Sequence, residues 1–203
     1  PANMGPVLNG VKLCQIWQHP LDALPEGASS SDGDWPTEGV DQGAEATDDG
    51  VCWKQSSNSN TLSIPLPDGF STVYAVGVEL RLPDFAERSL SFEPGYAPAS
   101  VGTTPDAATL LVGGNIEAEV GALNPAQWSE IIVLIDSNSS TATVRKDGAA
   151  TGPWSLEVVA FEGAPISLSS NNAATEPTST GACWRNLRVY RPWICPEHLT
   201  GPT

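Results

Sequence analysis

The chain has 203 residues, 40% of them apolar, so it can bury one sizeable core and is not disordered by composition. With 24 acidic against 9 basic residues its net charge is −15, a balance that repels phosphate backbones and argues against nucleic acid as a partner. Nineteen Gly and 18 Pro punctuate it too often for long helices, and no apolar run of 18 residues is present to span a membrane as a helix.

In chain order, residues 1–10 read as an extended arm, and VKLCQIW (11–17) as the first strand of the body, which is expected to run from 11 to 203. No basic segment followed by an apolar one marks a secretory leader, and Pro1 fits removal of an initiator Met; a chain made in a host cytoplasm is expected. Residues 26–50 hold eight acids and no Lys or Arg between Glu26 and Asp49, which predicts a long polar surface loop. Short strands then follow closely: VCWKQS, TLSIPL, and STVYAVGVELRL (71–82). In the last, Tyr74, Val76, Val78 and Leu80 alternate with Val73, Ala75, Gly77, Glu79 and Arg81, a period of two with one apolar face. RSLSFEP, ATLLVGG and NIEAEVGAL continue the series.

WSEIIVLID (128–136) is apolar on both faces near its middle and should be a central strand. SNSS turns it into TATVRKDG, where Asp147-Gly148 is a second turn signal. WSLEVVAF, PISLSS and CWRNLRVYR close the set. Strict alternation in the last places Leu187 and Val189 on one face with Cys183 and Arg185, and Trp184, Asn186, Arg188 and Tyr190 on the other. The expected fold class is all-β: a two-sheet antiparallel jelly-roll sandwich in a single domain.

Three stretches carry a resemblance to a known family: GVCWKQSSNSNTLSIPL, QWSEIIVLIDSNSSTATVRKDG and GACWRNLRVYRPWICPEHL. In this order they resemble the laminin-G-like, concanavalin-A-like jelly rolls. The resemblance implies a closing strand that returns beside strands from the start of the chain. It therefore puts Cys14 or Cys52 near Cys183 or Cys195, with Cys52–Cys183 the preferred disulfide because GVCWKQ and GACWRN look like matched edges of one sheet.

The related glucanases carry their catalytic carboxylates at alternate positions of one strand. Here only Glu117-Ala-Glu119 has that spacing, and because Ile116, Ala118 and Val120 form the apolar face the pair reads as solvated. No G-x-S-x-G, phosphate loop or dinucleotide fingerprint is present, so the chain is expected not to be an enzyme. No cofactor is required; Ca²⁺ is left open, with Asp48, Asp49 and Asp136 as weak candidates and a solvated acidic loop as the alternative.

Seven Trp is a high count. Trp128, Trp53 and Trp184 sit in strand patterns and read as core, whereas Trp154 and Trp193 are candidates for stacking on a sugar. Trp35 lies inside the acidic loop, where it reads as an anchor for a partner surface with Asp34, Glu38 and Asp41 as a charged rim. Two functions are then in play. The first is a non-enzymatic structural module of a large assembly, such as a bacteriophage capsid decoration or tail-associated protein on the virion surface, bound to other virion subunits or to copies of itself. The alternative is a secreted, lectin-like carbohydrate-binding module with a surface glycan as partner.

Overall fold

A computed structural model describes residues 4–8, 10–23, 25–30, 44–47, 50–53, 60–66, 72–81, 88–95, 101–104, 107–112, 118–124, 127–156, 165–172 and 183–192. The described residues form strands and turns and no helix. In chain order the strands are β1 (Met4–Leu8), β2 (Val11–His19), β3 (Ser29–Ser30), β4 (Ala44–Thr47), β5 (Gly50–Trp53) and β6 (Asn60–Ile64). Next come β7 (Val73–Arg81), β8 (Arg88–Pro94), β9 (Val101–Thr104), β10 (Ala107–Val112) and β11 (Ala118–Ala122). The last are β12 (Trp128–Asp136), β13 (Thr141–Lys146), β14 (Ala149–Ser155), β15 (Ile166–Asn172) and β16 (Cys183–Pro192).

Two antiparallel sheets result. One runs β1-β2-β16-β7-β12-β13-β14, with β5 also paired to β16 and β4 to β5; the other runs β11-β10-β9-β8-β15-β6-β3. The main core lies between them. It takes Tyr74, Val76, Val78 and Leu80 from β7 and Ile131, Val133 and Ile135 from β12, against Leu62, Ile64, Phe92, Ile166 and Leu168 of the second sheet. Alternation therefore places the apolar face of β7 as the sequence predicts. The Tyr74 hydroxyl donates to the Pro94 carbonyl across the sandwich at 2.8 Å, which satisfies its buried polar end.

β12 is apolar on both faces because the outer face of its sheet is covered as well. Ile132 and Leu134 join Leu8, Leu13, Ala75 and Tyr190 in a second buried cluster there. The arm expected at residues 1–10 contributes to it as a strand, since β1 pairs with β2. The Tyr190 ring is clasped by two glycines: a Cβ on Gly5 would come within 2.9 Å of its Cδ1, and one on Gly77 within 3.1 Å of its Cε2.

The β13–β14 hairpin turns on Asp147-Gly148, both at positive φ (46° and 93°), as a two-residue turn of the twist-compatible kind. β14 begins at Ala149, ahead of the WSLEVVAF segment; as an exposed edge strand it shows no alternation and tolerates Pro153.

Cys52 and Cys183 are register partners of β5 and β16 and form a disulfide, with Cα atoms 4.1 Å apart. Cys14 is disulfide-bonded too.

The closing strand corrects the alternation read from the sequence. Asn186 adopts φ 53°, and the β16–β7 register shifts between Arg185 and Arg188. Two residues, Asn186 and Leu187, thus occupy the space opposite Val78 alone, which is a β-bulge. After it the faces exchange. Trp184, Leu187 and Val189 all point into the main core, while Tyr190 joins the outer cluster. Arg185 and Arg188, three residues apart, emerge on the same outer face, where both reach Glu79.

Candidate functional site

The outer face of β16, β7, β12 and β13 carries a chain of opposite charges beside the Tyr190 cluster. Glu79 on β7 and Glu130 on β12 are register partners, directly opposite one another. Arg185 is opposite Glu79 from the other side, on β16. Its Nε donates to Glu79 Oε2 at 2.8 Å. Asn186 Nδ2 donates to Glu79 Oε1 at 3.0 Å, and the Asn186 carbonyl accepts from Arg188 Nε at 3.1 Å. The bulge residue thus holds one carboxylate and one guanidinium at once.

Arg188 bridges the two acids. Its Nη2 lies 3.0 Å from Glu130 Oε1 and 3.5 Å from Glu79 Oε1; these are charge contacts, because this buried nitrogen has no partner in hydrogen-bond geometry. Gly77 stands opposite Arg188 in the register and puts no side chain between Arg188 and β12. Arg145 on β13 approaches Glu130 Oε2 at 3.7 Å. The backbone at Glu130 is fixed by the hairpin turn: Glu130 N donates to Asp147 Oδ1 at 2.8 Å, and Asp147 N donates to the Glu130 carbonyl at 2.9 Å.

Trp128 completes the patch. The sequence pattern predicts it as core, yet it sits half-buried two residues before Glu130, which puts it on the same face of β12. The Arg185 guanidinium lies 4.0 Å from its ring centroid and that of Arg81 lies 4.9 Å away, both within cation–π range. Burial raises the Tyr190 phenol above its ordinary value, and the Glu130 charge adds to this, while Arg188 and Arg145 pull the other way. Ion pairs of this partly exposed kind stabilise by only about 0–1 kcal/mol each, so stability alone is a weak reason to gather them.

Of the candidates named from the sequence, the structure describes only some. Asp34, Trp35, Glu38, Asp41, Asp48, Asp49, Glu117 and Trp193 lie outside the described residues. Glu119 is in β11, the edge strand of the second sheet, opposite Leu111. Trp154 is half-buried against the main core. Asp136 caps a turn: its Oδ1 accepts from Asn138 N at 3.0 Å and Ser139 N at 3.3 Å. Among the described residues no three His, Cys, Asp or Glu side chains come together as a cation site.

No protein-family model and no curated protein matches the chain. Solved structures do match it in shape. The chain is similar to a β-glucanase of Bacillus licheniformis, with a TM-score of 0.60 and 12% identity over 86% of this chain and 96% of that one. The fold is a concanavalin-A-like jelly roll. The jelly roll is also similar to part of a sialidase (TM-score 0.51, 12% identity, 68% of this chain) and of a mutant Trypanosoma rangeli sialidase displaying trans-sialidase activity (TM-score 0.50, 12% identity, 76% of this chain). It spans 15% and 27% of the length of those two proteins.

These neighbours overturn the expectation that the chain is not an enzyme. They are named for glycan-cleaving enzymes, and one shares the sandwich almost from end to end. The physical reason is that a motif along one strand is not needed to bring two carboxylates together. Antiparallel pairing sets Glu79 and Glu130 face to face from strands far apart in sequence, which a search for alternate acids such as Glu117 and Glu119 does not detect. The neighbours lend no support to a virion role.

Proposed function

We propose that this chain recognises a glycan on the outer face formed by β16, β7, β12 and β13. The observation that carries the reading is the Trp128–Arg185–Glu79–Arg188–Glu130–Arg145 row: an aromatic ring, guanidiniums and carboxylates set side by side on rigid strands. Sugar hydroxyls both donate and accept, so a row that offers both signs within a few ångströms suits them. The likeness to a β-glucanase supports this over the virion-subunit reading, whose anchor residues lie outside the described strands. The disulfides support an oxidising, extracellular setting.

Glycan cleavage is a second reading with its own observation. Glu79 and Glu130 each place an oxygen within 3.5 Å of the same Arg188 nitrogen, and retaining hydrolysis works with two carboxyls about 5–5.5 Å apart. One experiment tests both readings. The oxidised protein is run through gels holding a panel of soluble polysaccharides, and the same panel is assayed for released reducing ends. Retardation by at least one polysaccharide, weakened by Trp128→Ala, is the expected result. Release of reducing ends that Glu79→Gln and Glu130→Gln abolish would establish cleavage. No retardation and no release across the panel would overturn the proposal.

A further inference from the structure

We infer that the glycan taken by this face is anionic, bearing carboxylate or sulfate groups; the inference rests on the glycan reading above and gives its ligand class. The chain carries nine Lys and Arg against 24 Asp and Glu. Four of those nine, Arg81, Arg145, Arg185 and Arg188, meet on this one face with two glutamates between them. Among the described side chains this face therefore gathers cations, on a molecule of net charge −15.

Its donors also exceed its acceptors. Both oxygens of Glu79 are engaged: Oε2 accepts from Arg185 and Oε1 from Asn186. Arg185 spends only Nε on it, and among the described residues its two terminal nitrogens hydrogen-bond to no other protein group. They are held in place by the stack on Trp128, and the side chain keeps about a third of its surface in water (34%). Among the described residues the Arg145 side chain makes no hydrogen bond, only the 3.7 Å approach to Glu130. Planar guanidiniums with an open edge, fixed in orientation and partly desolvated, are the groups that bind carboxylate and sulfate oxygens in pairs. A neutral sugar would leave this excess of charged donors unmatched.

The experiment compares three gel matrices under one buffer: polygalacturonate, dextran sulfate and a neutral mixed-linkage β-glucan. The intact, oxidised protein is used with Arg185→Gln and Arg145→Gln, and thermal unfolding of each variant is recorded to show that it is folded. In Arg185→Gln, Glu79 keeps Arg188 and Asn186 as partners. Because the whole protein is repelled by polyanions, retention by one reports a local site. The expected result is retention by polygalacturonate, with affinity about ten-fold lower in each variant, a change of about 1.4 kcal/mol. Retention by dextran sulfate alone, lost in the variants, supports the inference and assigns sulfate as the group bound. Retention by the neutral glucan equal to or above that by the polyanions overturns it while leaving the glycan reading in place. Polyanion retention unchanged in folded Arg185→Gln and Arg145→Gln also overturns it. Retention by none of the three overturns the inference and, with the wider panel negative, the glycan reading as well.

Discussion

Asn186 is the residue on which the site depends most, and its replacement separates two effects. At φ 53° it occupies the left-handed region, where most side chains cost about 1–2 kcal/mol and Asn costs less. Its Nδ2 also donates to the Glu79 carboxylate at 3.0 Å. A hydrogen bond to a charged group contributes about 1.5–3 kcal/mol, and the low end applies because Glu79 retains two arginines and is partly solvated. Asn186→Ala removes the bond and adds backbone strain, so it should destabilise by about 2–3 kcal/mol. Asn186→Gly removes the bond without the strain and should cost about 1–2 kcal/mol. Denaturant unfolding of the oxidised proteins, followed by tryptophan fluorescence, gives both values. A loss under about 0.5 kcal/mol for Asn186→Ala would refute the account of the bulge. A glycine variant less stable than the alanine variant would refute the strain argument alone.

Gly77→Ala pushes a methyl to 3.1 Å from both Tyr190 Cε2 and Ile132 Cγ1, and should lower stability by about 1–2 kcal/mol in the same assay through overpacking. Joint replacement of Cys52 and Cys183 by Ala opens a closure between residues 131 apart and should cost about 2–5 kcal/mol, read as a fall in the unfolding midpoint that no reductant deepens through this bridge. Burial raises the Tyr190 phenol above 10, so the folded protein keeps it neutral where the unfolded chain begins to ionise. Its contribution is therefore complete below about pH 10 and is lost as pH climbs from there towards the folded value. Tyr190→Phe should flatten the decline of unfolding free energy above about pH 10, measured by denaturant titration at fixed pH.

The elements that were legible in the sequence are those where one physical signal dominates. The alternation of β7, the doubly apolar middle of β12 and the Asp147-Gly148 turn each reflect local chemistry that tertiary packing leaves intact. The site was not legible because it is a product of register. Nothing along the chain says that Glu79 will face Glu130, or that Asn186 will take the left-handed conformation that brings Arg185 and Arg188 to one side. Trp128 reads as core because strand tryptophans commonly pack inward, but alternation along β12 sets it on the face of Glu130, where Arg81 and Arg185 stack on its ring. A usable signal was present: a chain with few cations places three arginines, Arg185, Arg188 and Arg191, in its closing strand and one acid on the polar face of β7.

β16 lies in the interior of its sheet, between β2 and β5 on one side and β7 on the other, yet it is the last of these strands to be synthesised. On the ribosome, β2 and β7 each wait with an unpaired edge until residue 183 and beyond have emerged, and one insertion then closes both. Most of that interval is long-range loop closure, which makes such topologies slow to fold and leaves strand edges open to other nascent chains. Expression at lower temperature, or from a vector that slows initiation and so thins the ribosomes on each message, should raise the soluble yield more for this chain than for a sandwich whose central strands are made first.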